Sequence, residues 1–259
     1  MSIHESPFFV LPDFDDLIAK LEKIRSEIER DYDRYYQRLS PTFGPEVEKD
    51  TRLTAFAHLG GLVDSTKLAF TFMNHQLLPL DNPWWDEIYR PPFQPFDVYA
   101  RSVNINRFNN AFIKLGFLIG LFSEIESTFR ILLRQLDPSA CNGGKASFPF
   151  IFDALKKQLG SFPADSDDLI KLLRLSRNTV HNNGVYFPES GKDDQVVYKS
   201  GTYNFVQGKP IDFVNWDWLF ERLDDVRKLF NAVISNPKIL DINVLIADPF
   251  AANRKTVKK

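Results

Sequence analysis

Four residues in the second half of the chain have the types and spacing for proton transfer and phosphate recognition: Arg174, Arg177, Asn178 and His181. On a helix, at about 100° per residue, they fall within roughly a 100° arc. Leu169, Leu172, Leu173, Ser176 and Val180 lie on the opposite side. An imidazole titrates near neutrality and can move a proton. A guanidinium is a permanently charged planar fork for phosphate oxygens. The set suits proton transfer beside a bound phosphate. His181 would take the proton, Arg177 or Arg174 would stabilise the charge developing at phosphorus, and Asn178 would orient the imidazole or the phosphate. That chemistry requires no metal or other cofactor. The same residues have a plainer reading, since a polar face opposite a buried stripe is what any surface helix shows. A cationic His close to a helix C-terminus is also stabilised by the helix dipole.

The helix that positions these groups reads as starting at Ser166, an N-cap type. It runs to about Asn182, where Asn183-Gly184 supplies a stop. A longer helix is expected from Ile105 to Leu136. Phe108, Phe112, Leu115, Ile119, Phe122, Phe129, Leu133 and Leu136 recur at steps of three and four, with Ala111, Leu118, Ile125 and Leu132 as a second flank. Continuing the spacing places Glu126 inside the apolar stripe. A carboxylate there is costly unless paired, so Glu126 is expected to be largely buried against Arg130, Arg177 or His181. The alternative is that it sits at the stripe's edge and reaches water.

Elsewhere, Asp13 or Asp15 can cap a helix to about Leu39, with Leu17, Leu21, Ile24, Ile28, Tyr32 and Tyr35 on its buried side. A second helix covers about Thr51 to Leu78, interrupted or closely packed at Gly60-Gly61. The segment 81–100 contains Pro83, Pro91, Pro92 and Pro95 and reads as a breaker region. Its Trp84, Trp85, Tyr89, Phe93 and Phe96 either pin an ordered loop to the helices or bind a ligand, with Trp84, Trp85 and Tyr89 forming a pocket for a nucleotide or small molecule. A short helix from Phe150 to Leu159 and a hairpin over Gln195 to Val206 follow. A last helix, capped by Asn215, runs from Trp216 to Ile234 with Leu219, Leu223, Val226, Phe230 and Val233 buried. The expected fold is therefore all-α, a helical bundle with a small β-hairpin insertion. It divides into an N-terminal helical region (1–100), a second helical unit (101–240) and a tail (241–259) whose last residues, AANRKTVKK, are polar.

The composition is that of an ordinary globular chain: 259 residues, 44% hydrophobic and 25% charged, with 24 Phe as the outlier. No apolar run is long enough for a membrane-spanning helix, and the first residues lack the basic-then-apolar order of a secretory signal. The single cysteine, Cys141, forms no internal disulfide, and a cytoplasmic location is expected. A net charge of −2 argues against a protein that coats nucleic acid through a broad basic field. A local site on a single-stranded loop needs only a small positive patch. His4, His58, His75 and His181 show no metal-ligand spacing with the cysteine. Gly143-Gly144-Lys145 lacks the earlier glycine of a phosphate loop and reads as a turn.

A long helix bearing Glu126-Ser-Thr-Phe-Arg130, followed by one ending Arg177-Asn-Thr-Val-His181-Asn-Asn-Gly, resembles the HEPN superfamily over about Asn104 to Ser235. The resemblance implies a bundle of four or five helices that often dimerises through the face bearing the motif. It also implies a metal-independent ribonuclease of a toxin or antiphage system acting on RNA, or else a non-catalytic module that binds nucleotides or partners. The family motif is Arg, commonly followed by a polar residue, then His after four to six residues. Here Arg177 is followed by Asn178, with three residues before His181. Arg174 has six residues before His181 but is followed by Leu175.

Overall fold

The computed structural model describes residues 12–79, 82–87, 98–141, 147–180, 182 and 184–249. His181 and Asn183 lie outside them, as do Tyr89, Phe93, Phe96, Gly143-Gly144-Lys145 and the last ten residues.

Several helices begin where the sequence supplies a cap. The Asp13 carboxylate accepts from the amides of Asp15 and Asp16 at 3.0 and 3.1 Å and starts α1, Phe14–Phe43. Leu17, Leu21, Ile28 and Tyr35 are buried as the spacing predicts, whereas Ile24 and Tyr32 are half-buried. The helix outlasts the expected end at Leu39, running through Pro41 in its last turn; Gly44, at φ 56°, then stops it. Asp50 caps α2, Thr51–Phe72, which continues through a π turn, Met73–Leu77. Buried residues occur all around α2, because α1, α5 and α8 surround it. The helix is unbroken at Gly60-Gly61. A Cβ on Gly60 would stand 3.2 Å from the Arg25 guanidinium carbon, so the glycine admits the side chain with which α1 reaches Asp64.

After the short α3, Trp84–Glu87, comes α4, Val98–Arg107. A π turn, Phe108–Lys114, joins it to α5, Leu115–Leu136. The helix thus starts before Ile105, and the π turn corrects the expected stripe. Such a turn takes in about one extra residue, which shifts the side chains on either side of it by roughly 100° relative to an unbroken α-helix. The buried face of α5 is Phe117, Leu118, Leu121, Phe122, Ile125, Thr128, Phe129, Leu132 and Leu133. Leu115 and Ile119 are half-buried and Phe112 is 72% exposed. The presumed flank of Leu118, Ile125 and Leu132 is the centre of the packed face.

Next come α6, Phe148–Leu159, ended by Gly160 at φ 75°, and α7, Ser166–Val180. Ser166 is the first helical residue of α7, not its cap. The Asp165 carbonyl takes the first helical bond, from the Leu169 amide at 3.0 Å, and the buried Ser166 hydroxyl has no partner among the described residues. An antiparallel hairpin follows, β1 Asp194–Tyr198 and β2 Gly201–Phe205, in the register Asp194↔Phe205 to Tyr198↔Gly201. Asn215 caps α8, Trp216–Ile234, through the Trp218 amide at 2.9 Å. A single turn, α9 Pro237–Leu240, closes the set.

The helices on both sides of the 81–100 breaker share one hydrophobic cluster. Phe129 of α5 sits at its centre, with ring centroids 6.1 to 6.5 Å from Phe148, Phe152, Phe162 and Phe230. Within the tail segment, residues 242–246 are stitched to the start of α2. Arg52, fully buried, makes a bidentate pair with Asp50 and donates to the carbonyls of Ile239, Leu240, Ile242 and Val244. Asp50 also accepts from the Ile246 amide at 3.0 Å, and Thr51 bonds the Ile246 carbonyl. Among the described residues no helix is long and apolar enough to cross a membrane.

Candidate functional site

The polar face of α7 lies between α5 and the hairpin. Leu169, Leu172, Leu173 and Ser176 turn into the core and Val180 is half-buried, as the periodicity requires. Three polar side chains leave the helix in successive directions. Lys171 bridges to Asp194 of β1 at 2.7 Å. Arg174 is half-buried and contributes to the field at Tyr186, whose hydroxyl is pushed above the ordinary phenol range. Burial is the main cause there; Asp194 and Asp193 add to it and Arg174 opposes it. Arg177, also half-buried, stacks over the Phe122 ring of α5 at 5.7 Å and donates to Asn178 Oδ1 at 3.3 Å. Asn178 is exposed.

The end of α7 is held firmly. Thr179 is buried, its hydroxyl donates to the Ser176 carbonyl at 2.6 Å, and its own carbonyl accepts from the amides of residues 182 and 184. Gly184, at φ 82°, provides the left-handed turn that the sequence places there. Beyond it Val185 pairs with Pro210, and Tyr186 exchanges backbone bonds with Gly208 and Lys209. The hairpin beside this turn is clamped by α8. Arg222 lies over the Tyr198 ring at 4.9 Å and the Trp218 ring at 5.7 Å, donates to the Tyr203 hydroxyl at 3.1 Å, and pairs with Asp225, which also binds Lys199.

Of the predicted site residues, Arg174, Arg177 and Asn178 therefore share one face, and His181 lies outside the described residues. Glu126 does pair with Arg130, at 2.7 Å, but the expectation of deep burial is corrected. The side chains are 32% and 26% exposed, because Glu126 stands about 100° around α5 from Ile125, the middle of the packed face. Exposed i,i+4 pairs contribute little. Glu126→Ala is accordingly expected to shift urea-denaturation stability by less than about 0.5 kcal/mol; a loss above about 2 kcal/mol would mean the carboxylate is a core group after all. Two members of the site escaped the sequence reading. Phe122 stands one turn before Glu126 on the same helix, and that i,i+4 relation was available as a signal. Tyr186 arrives through the loop after α7 and leaves no periodic trace.

Among the described residues no group of three His, Cys, Asp or Glu side chains is placed to hold a metal ion. The fold and site together define an all-helical bundle with a hairpin insertion and a cationic face at the end of one internal helix. Comparison of the chain with protein-family models, curated proteins and solved structures finds no match.

Proposed function

We propose that the chain is a HEPN-like endoribonuclease whose site is the C-terminal face of α7, with Arg177 and Arg174 receiving the scissile phosphate and His181 moving the proton. One observation supports this reading above the others. Arg174 and Arg177, one helical turn apart, have no carboxylate partner among the described residues, whereas Arg25, Arg30, Arg34, Arg52, Arg130, Arg222 and Arg227 all form ion pairs. Two unneutralised guanidiniums on a rigid helix end favour an anion. In the proposed reaction the 2′-hydroxyl loses its proton to the imidazole and attacks phosphorus. The 5′-oxygen leaves and takes up a proton, giving a 2′,3′-cyclic phosphate and a 5′-hydroxyl end. A two-fold homodimer that brings two copies of this face together, as a toxin or antiphage effector would use it, belongs to the same proposal.

A second reading has its own observation. Arg177 is engaged by Phe122 and Asn178, which suits a structural network in a non-catalytic binding module. Activity separates the two. Purified protein is expected to cleave single-stranded or loop RNA with EDTA present, leaving cyclic-phosphate ends. His181→Ala should abolish cleavage without moving the thermal transition. Loss of the arginine that bears the developing charge should cost on the order of 10²-fold or more. Intact RNA across diverse substrates, or a His181→Ala protein that mainly unfolds, favours the binding module. Sedimentation as a strict monomer at micromolar concentration removes the dimer from the proposal.

A further inference from the structure

A cleft of about 450 Å³ opens far along the chain from the α7 face, between the end of α2, α3 and the start of the long α4–α5 helix. Its size is within the range of small-molecule sites. The walls are aromatic: Phe72 meets Trp84 at 5.7 Å and Trp84 meets Trp85 at 5.2 Å, both edge-on, and Phe108 meets Phe112 at 6.2 Å. Trp85 is a fixed wall, buried, with its indole N–H spent on the Leu77 carbonyl at 3.1 Å. Trp84 and Phe108 are half-buried and Phe112 is 72% exposed, so ring surface faces the opening.

Two further observations point to an occupant. First, both π turns of the described chain contribute to this cleft, Leu77 from Met73–Leu77 and Phe108 and Phe112 from Phe108–Lys114. A π turn interrupts regular helix bonding and is found frequently at functional sites. Phe112, within the second of them, faces away from the core. Second, Arg107 is the one charged residue among the described lining, and it forms no ion pair or hydrogen bond among the described residues. Ring walls spaced for edge and face contacts, with a single unneutralised guanidinium and no acid in the described lining, complement a flat apolar body carrying one negative group.

We infer that this cleft binds a planar aromatic carboxylate, its ring between Trp84, Phe108 and Phe112 and its carboxylate on Arg107. The inference is independent of the ribonuclease reading, since it uses none of the α7 residues. It is tested on the full chain by titrating 2-naphthoate, its neutral counterpart 2-naphthamide and octanoate, following tryptophan fluorescence and calorimetric stoichiometry. Saturable 1:1 binding of naphthoate is expected, at least ten-fold tighter than the amide and than octanoate. Arg107→Gln should bring naphthoate and amide affinities together while leaving the thermal transition unchanged. Phe112→Ala should weaken both aromatic ligands. No saturation by millimolar naphthoate, equal binding of naphthoate and amide to the unmodified protein, or an unchanged preference in Arg107→Gln overturns the assignment. Octanoate binding as tightly as naphthoate overturns its aromatic part.

Discussion

Replacing Arg52 by Met is expected to remove about 3–5 kcal/mol of stability, the usual cost of leaving a buried charge without its partner. Arg52 and Asp50 are both fully buried. Without the guanidinium, the Asp50 carboxylate keeps only the amides of Arg52 and Ile246, and four carbonyls between residues 239 and 244 lose a donor. Against a total stability of about 5–15 kcal/mol this is a large fraction, and the melting temperature should fall by on the order of 10 °C. The double variant Asp50→Asn with Arg52→Met separates charge from packing. It should be markedly less destabilised than the sum of the two single changes, because the uncompensated carboxylate has gone. A cost below about 1 kcal/mol for Arg52→Met would show that the segment 239–246 holds its place without the guanidinium.

Phe129→Ala is expected to cost a similar amount, about 3–5 kcal/mol, from lost burial and the cavity left behind. The ring is fully buried and joins α5 to α6 through stacked Phe152 and Phe148, and to α8 through Phe230. Four aromatic neighbours on three separate segments cannot all move into the space, so collapse recovers little. In urea the midpoint should fall while the slope stays the same, since the surface exposed on unfolding is unchanged. Phe129→Leu, which keeps more of the volume, should lose less. If the alanine variant loses under about 1.5 kcal/mol, the cluster is more plastic than its ring spacings imply.

These two residues mark the limits of what sequence can say. Phe129 was placed in the core by three-four spacing, and caps at Asp13 and Asn215, the stop at Gly184 and the hairpin around Ser200-Gly201 were all legible from local chemistry. Such signals act over a few residues, so a few residues reveal them. The π turn at Phe108–Lys114 carries no comparable signature, and it breaks the register that joined Phe108 and Phe112 to the stripe of α5, while Leu115, Ile119 and Glu126 fall at the margin of a face centred on Ile125. Arg52 reads as an ordinary first-turn residue beside an Asp cap, because the carbonyls that explain it come from the far end of the chain. The α7 face was legible as a face: Arg174, Arg177 and Asn178 share it. Their neighbours Phe122 and Tyr186 come from other elements, and helical spacing within α7 is silent about them.

The clasp around Arg52 also bears on how the chain is made. Residues 51 and 246 are bonded although 195 positions separate them. During synthesis α1 and α2 are complete long before residues 239–246 exist, so Arg52 and Asp50 must wait hydrated, and the faces of α2 that meet α5 and α8 wait with them. Contacts this distant in sequence form late and slow the approach to the native state. Exposed apolar surface on such a waiting unit is a target for association and for chaperones. A ribosomal product truncated before residue 239 keeps the Asp50 partner but lacks the four carbonyls that accept from Arg52, so the guanidinium cannot be buried with its donors satisfied. The clasp therefore ties the burial of Arg52 to the arrival of residues 239–246.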